Sequence, residues 1–111
     1  NKTVQYNFSS GVTPTSDQII TVTAGKIGYI HSFLLQHNSG AAAIIVLRDA
    51  TADAGTTVIH VRPAAQIIIE HVSPVPIPIK NGLRFDAGDQ TASTDYFMQF
   101  SYAEEDLPVV E

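Results

Sequence analysis

Cysteine and tryptophan are both absent from this 111-residue chain, and methionine occurs once. Without cysteine there is no disulfide framework, no thiolate zinc site and no cysteine nucleophile. Charge is scarce too: Asp, Glu, Lys and Arg make up 15% of the chain, against about 25% in an ordinary soluble protein. With 44% hydrophobic residues, more of the surface than usual must be uncharged or covered by another molecule. Bases are also few, six against eleven acids. Four of those acids, Glu104, Glu105, Asp106 and Glu111, fall in the last eight residues, so the body of the chain is close to neutral. No basic patch interleaved with aromatics occurs, which argues against nucleic acid as a partner. No apolar run approaches the ~18 residues of a spanning helix, so no membrane partner is expected.

What the chain does have is alternation. Period-two patterning and β-branched enrichment recur from end to end, and no window of helical length shows a 3.6-residue period. Runs such as "TVQYNF" (3–8), "QIITVT" (18–23), "IGYIHSFLLQH" (27–37), "AAAIIVLRD" (41–49) and "DYFMQFSY" (95–102) are separated by short polar turns. Eight or nine such strands in one small domain, residues 1–103, predict an all-β fold. The expected form is an antiparallel β-sandwich, jelly-roll-like, with an immunoglobulin-like sandwich as the second choice.

The stretch "SPVPIPI" (73–79) sets Pro74, Pro76 and Pro78 between Val75, Ile77 and Ile79. Alternate residues present their N–H groups to the same edge, so three prolines at this spacing strip one edge of donors. The segment therefore reads as an edge strand with a blocked outer edge, Val75, Ile77 and Ile79 facing the core. The other reading is a short polyproline-like stretch outside any ladder.

Two strands look apolar on both faces. In "IGYIHSFLLQH", Tyr29, His31, Phe33, Leu35 and His37 share one face while Ile30 and Leu34 share the other. In "AAAIIVL", Ile45 and Leu47 oppose Ile44 and Val46. A sheet with one wet face alternates cleanly, so these strands predict a covered outer face, with Tyr29, His31, Phe33, Leu35, His37, Ile45 and Leu47 as candidates for contact with another subunit. A β-bulge that shifts the alternation and turns both sets inward is the alternative.

Catalytic signatures are missing. The four histidines lack the His-x-His or HExxH spacing that places two ligands on one metal. The acids Asp49, Asp53, Asp86 and Asp89 sit in or beside turns without the density of an EF-hand loop, which leaves at most a weak calcium site. No nucleophile elbow, phosphate-cradling loop or dinucleotide fingerprint occurs. The sequence thus predicts neither an enzyme nor a cofactor, metal or small-molecule substrate. The tail "AEEDLPVVE" reads as an acidic C-terminal arm, residues 104–111, carrying apolar residues fit for docking. With the N-terminal run it supplies the candidate docking residues Lys2, Val4, Tyr6, Glu104, Glu105, Leu107 and Val109.

The segments "VTAGKIGYIHSFLLQ", the Gly/Ala turn before "IIVLRDAT", and "PIPIKNGLRFDAG" leading to "YFMQFSY" give the chain a likeness. Over residues 17–103 it resembles the small β-sandwich virion proteins of tailed bacteriophages. The resemblance implies a jelly-roll-like subunit on the capsid exterior, a homotrimer acting as a decoration or cement protein. Its partner would be the major capsid protein of an assembled shell. Similar sandwiches in head fibres and tail appendages imply a second role, carbohydrate or receptor binding.

Overall fold

The computed structural model describes residues 3–11, 15–52, 55–65, 69–91 and 94–107, with the backbone alone at 69 and 71–74. Eight strands occur among these residues: β1 (Val4–Ser10), β2 (Asp17–Thr21), β3 (Lys26–His37), β4 (Ile45–Asp49), β5 (Thr56–Val61), β6 (Ile69–Ile79), β7 (Gly82–Phe85) and β8 (Tyr96–Asp106). One short 3-10 turn, Ala87–Asp89, interrupts them. The strands form two antiparallel four-stranded sheets in the orders β1-β8-β3-β6 and β2-β7-β4-β5. Folding a strand pair back on itself across two sheets gives this interleaving, and it is the strand order of a jelly roll. The fold class expected from the alternation is the one observed.

The core lies between the sheets. Side chains at alternate positions, Phe8 of β1, Ile30 and Leu35 of β3, Leu83 and Phe85 of β7, and Tyr96, Met98, Phe100 and Tyr102 of β8, form one cluster with Ile45, Leu47 and Ile79. Phe85 packs its ring on Phe8 and Tyr96, with centroids 4.7 and 5.5 Å apart, and so links the two sheets.

Bulges decide which residues reach this core. In β3 the ladder to β8 shifts between Ile30, opposite Tyr102, and Ser32, opposite Ser101, so His31 is an extra residue. Before it Gly28 and Ile30 face inward; after it the odd-numbered Phe33, Leu35 and His37 do. The bulge changes the parity of the core face, so Ile30 and Leu35 both point inward, while Ile27, Tyr29 and Leu34 stay half-buried on the outer face. In β4, Ile45 and Leu47 enter the core, and Val46, on the opposite face, is also buried at 7% exposure, with its backbone N–H donating to the Gln90 side chain.

The proline-rich segment joins 69–72 and 75–79 into one strand, β6, which lies at the sheet edge with β3 as its neighbour. Only part of it is regular. Ile30 faces Ile77 and Ser32 faces Val72, so residues 73–76 stand opposite the single residue His31. Pro78 lies in the regular ladder opposite Tyr29, while Pro74 and Pro76 lie in this irregular stretch. Ile77 and Ile79 face the core as expected, but Val75 is 75% exposed because the irregularity displaces it.

Asp49, at the end of β4, holds the β6–β7 connection. Its carboxylate accepts the backbone N–H groups of Lys80, Asn81 and Gly82 at 2.9, 2.7 and 3.2 Å. A carboxylate ringed by three otherwise idle donors is a strong anchor for a tight turn.

Candidate interaction surface

The two outer faces of the sandwich differ in how they are satisfied. On the β2-β7-β4-β5 sheet two arginines are paired within the chain. Arg48 donates to both carboxylate oxygens of Asp89 at 2.7 and 3.2 Å and to the carbonyl of Gly55 at 3.0 Å. Arg84, across the ladder from Arg48, donates to Asp86 at 2.7 Å. Each aspartate offsets an arginine that would otherwise repel its neighbour, and burial of Asp86 rests on that pairing. Asp49, Asp86 and Asp89 are thus committed to structure, and Asp53 lies outside the described residues. Among the described residues no group of three or more His, Cys, Asp or Glu is placed to hold a metal ion.

The outer face of the β1-β8-β3-β6 sheet is different. Register sets its rows: Ser9, Phe97 and Gln36; then Asn7, Gln99, Leu34 and Glu70; then Gln5, Ser101 and Ser32. Beyond the bulge come Ala103, Tyr29 and Pro78, and then Glu105 and Ile27. Two open depressions lie on this face. One, of about 260 Å³, is lined by Gln5, Ser32, Phe33, Leu34, Glu70, Gln99 and Ser101. The other, of about 410 Å³, is lined by Tyr29, His31, Pro76, Ala103 and Glu105.

The candidate subunit-contact residues separate accordingly. Tyr29 and His31 reach the outer face. Leu35, Ile45 and Leu47 are fully enclosed between the sheets, so they contact no other molecule in this fold. Phe33 packs against the same core. His37 is 1% exposed, its Nε2 donating to the carbonyl of Pro63 at 3.0 Å while Nδ1 accepts the N–H of Ser39 at 3.1 Å. It pins a loop and is not a contact residue.

The candidate docking residues gather at one end. β8 continues through Glu104, Glu105 and Asp106, which pair with Gly28, Ile27 and Lys26 of β3. The acidic segment from 104 is therefore strand, and the chain leaves the sheet only at Leu107, three residues later than the composition suggested. Lys26 and Asp106 also form an exposed ion pair at 2.9 Å. Tyr6 packs edge-to-face on Tyr102, centroids 5.7 Å apart. Val4 and Leu107 are 55% and 49% exposed. Lys2 and Val109 lie outside the described residues.

Glu104 closes this end. One of its oxygens accepts the N–H of Thr23 and the hydroxyl of Tyr102, both at 2.9 Å. The Thr23 bond holds the carboxyl below its ordinary range, whereas burial, reinforced by Glu104, pushes the Tyr102 phenol well up. The signs give a two-sided pH dependence. Glu104 favours the folded state above about pH 4.5 and loses that effect as pH falls through its lowered value. Tyr102 favours it below pH 10 and loses that effect as pH rises further. Chemical denaturation across pH should therefore show Glu104→Gln flattening mainly the acid limb and Tyr102→Phe mainly the alkaline limb, each with a smaller effect on the other because the two groups share a hydrogen bond. Unchanged limbs in both variants would contradict the assignment.

The polar rows were only partly readable in sequence. The alternation of Phe97, Gln99 and Ser101 with Tyr96, Met98, Phe100 and Tyr102 was visible, as was that of Gln5 and Asn7 with Tyr6 and Phe8. Ser32 and Glu70 join them only because of the bulge at His31 and the irregularity in β6, which leave no residue-type signature. Comparison with known proteins adds no assignment: no protein-family model and no curated protein matches the chain.

Proposed function

We propose that this protein is a non-enzymatic structural component of a bacteriophage virion, a capsid decoration protein that docks on the shell through one end of the sandwich. The observation that carries the reading is the placement of exposed apolar groups. Of the four exposed large apolar residues among those described, Phe97 belongs to one half of the sheet, and Val4 at the start of β1, Leu107 at the end of β8 and Val75 in the β6 irregularity belong to the other, where β8 finishes. Tyr29, His31 and Pro76 line the depression in the same half. Three of the four in one half, beside that depression, favour this half as the contact surface. The family resemblance supplies the partner, the major capsid protein, and the homotrimer; the irregular proline segment discourages growth through the β6 edge.

Binding only to the assembled shell would stabilise it by mass action, with each site contributing in proportion to ln(1 + [L]/Kd). The test adds purified protein to expanded, undecorated heads of the encoding phage and follows co-sedimentation and heat release of DNA, with light scattering of the free protein alongside. The reading expects saturable binding, heads that release DNA at higher temperature, a mass of three 11.9 kDa chains, and loss of binding in Val75→Asp. Heads that neither bind the protein nor gain heat resistance would refute it.

A further inference from the structure

We propose that Asn81–Gly82, in the connection between β6 and β7, is a self-modification site, a deamidation point that the Asp49 carboxylate holds shut in the folded protein. The inference is independent of what the sandwich docks on.

The chemistry needs only the chain and water. Asparagine followed by glycine is the pairing most open to intramolecular attack, because glycine has no Cβ to shield its backbone nitrogen. The Gly82 nitrogen, on losing its proton, adds to Cγ of Asn81. The new N–Cγ bond forms, the Cγ–Nδ2 bond breaks, and the amide nitrogen takes up a proton and leaves as ammonia. Water then opens the cyclic imide at one carbonyl or the other, giving aspartate or isoaspartate.

Among the described asparagines, Asn81 alone meets the requirements. It is exposed, and its side-chain amide makes no hydrogen bond among the described residues. Asn38 is tied to Asp95 on both sides, its Nδ2 donating to the carboxylate at 2.9 Å and its Oδ1 accepting the Asp95 N–H at 2.8 Å. Asn7 lies inside β1 and is followed by Phe8.

The fold occupies the nucleophile. The Gly82 N–H donates to Oδ1 of Asp49 at 3.2 Å, and the same oxygen accepts the Asn81 N–H at 2.7 Å. A carboxylate facing an N–H opposes its deprotonation, since the anion left behind would meet that negative charge. The other end of the same peptide unit is also fixed, because the Asn81 carbonyl accepts the Val22 N–H at 3.0 Å. Ring closure requires this unit to rotate until its nitrogen reaches Cγ, and it is pinned at both its oxygen and its nitrogen.

The fold also leaves no place for the main product. An isoaspartyl link lengthens the main chain by one carbon immediately before Gly82, which is buried, pairs with Thr21 and accepts the Ala50 N–H at its carbonyl. Even a Cβ on Gly82 would meet the Ile20 carbonyl and the Gln18 amide. The reaction therefore proceeds from a locally opened turn, and its rate reports how often Asp49 lets go.

The full chain is incubated at mildly alkaline pH in native buffer and in unfolding urea, and peptide mapping by mass spectrometry follows aspartate and isoaspartate at position 81. The wild type is compared with Asp49→Ala, Asp49→Asn and Gln90→Leu, each checked for folding by near-UV circular dichroism. Native wild type should convert at least about tenfold more slowly than the unfolded chain, and Asp49→Ala should recover about tenfold of that rate while folded, the effect of losing hydrogen bonds to a charged group. Asp49→Asn keeps an acceptor oxygen without the charge and carries the same test, with conversion faster than wild type, where Asp49→Ala does not fold. Gln90→Leu weakens the fold away from this turn and should leave Asn81 slow, which separates local release from global unfolding. Native wild type converting as fast as the unfolded chain, folded Asp49 variants converting no faster than wild type, or Gln90→Leu accelerating the reaction as much as they do would overturn the assignment.

Discussion

Gly82→Ala is expected to destabilise the protein by about 3 kcal/mol, at the upper end of overpacking costs, and to lower its urea midpoint with little change in slope. Gly82 opens β7 at a point where three strands converge. A Cβ there would meet the carbonyl oxygen of Ile20 in β2 and the side-chain amide of Gln18, with the Ala50 carbonyl 3.2 Å away. Two of these are backbone atoms, fixed by the ladder between Thr21 and Gly82 and by the Ala50 N–H, which donates to the Gly82 carbonyl at 3.3 Å. Relief therefore requires strand movement. The control is Gly88→Ala, where nothing lies within 4 Å of the added carbon; it should be neutral or slightly stabilising, since it restricts the unfolded chain. Equal stability of the two variants would show that β2, β4 and β7 do not converge as described.

Gln90→Leu is expected to cost a similar amount, about 3 kcal/mol, although it keeps the side-chain volume and adds apolar surface. Gln90 acts as a missing strand. Its Oε1 accepts the Val46 N–H at 2.8 Å, and its Nε2 donates to the carbonyls of Val46 and Asp86 at 2.6 and 3.1 Å. The side chain is 9% exposed, so leucine would leave a backbone donor and acceptor of β4 buried without partners. Each such group costs about 1–3 kcal/mol. Hydrogen exchange reads the effect directly: the Val46 amide should lose protection in Gln90→Leu before the core of β8 does. Retained protection at Val46 would contradict the role.

Both predictions concern places where one residue completes a sheet from outside its own strand, and neither was legible in the sequence. "RFDAGDQTAST" reads as a turn, and nothing in its composition says that its glutamine will bind a strand more than forty positions earlier. The same limit applies to the interaction surface. Tyr29 and Leu35 appear to share a face when counted along "IGYIHSFLLQH", yet the extra residue at His31 sends one outward and the other into the core. Bulges arise from how two sheets twist and close over a common core, so their positions depend on partner strands distant in sequence.

Local pattern alone determined a good deal. Period-two alternation with frequent polar turns requires strands, and a 111-residue chain of such strands has to bury its apolar faces between two sheets. The lack of cysteine, of paired metal ligands and of basic patches narrows the chemistry by itself. The spacing of Pro74, Pro76 and Pro78 placed their strand at an edge, because donors missing from one side leave only the other to pair. Tertiary structure alone decided the parity of each face, the merger of two short runs into β6, the extension of β8 to Asp106, and the gathering of Gln5, Ser32, Glu70, Gln99 and Ser101 into one trough. These are relations between strands up to about a hundred residues apart, fixed by register and closure, and side-chain type carries no record of either.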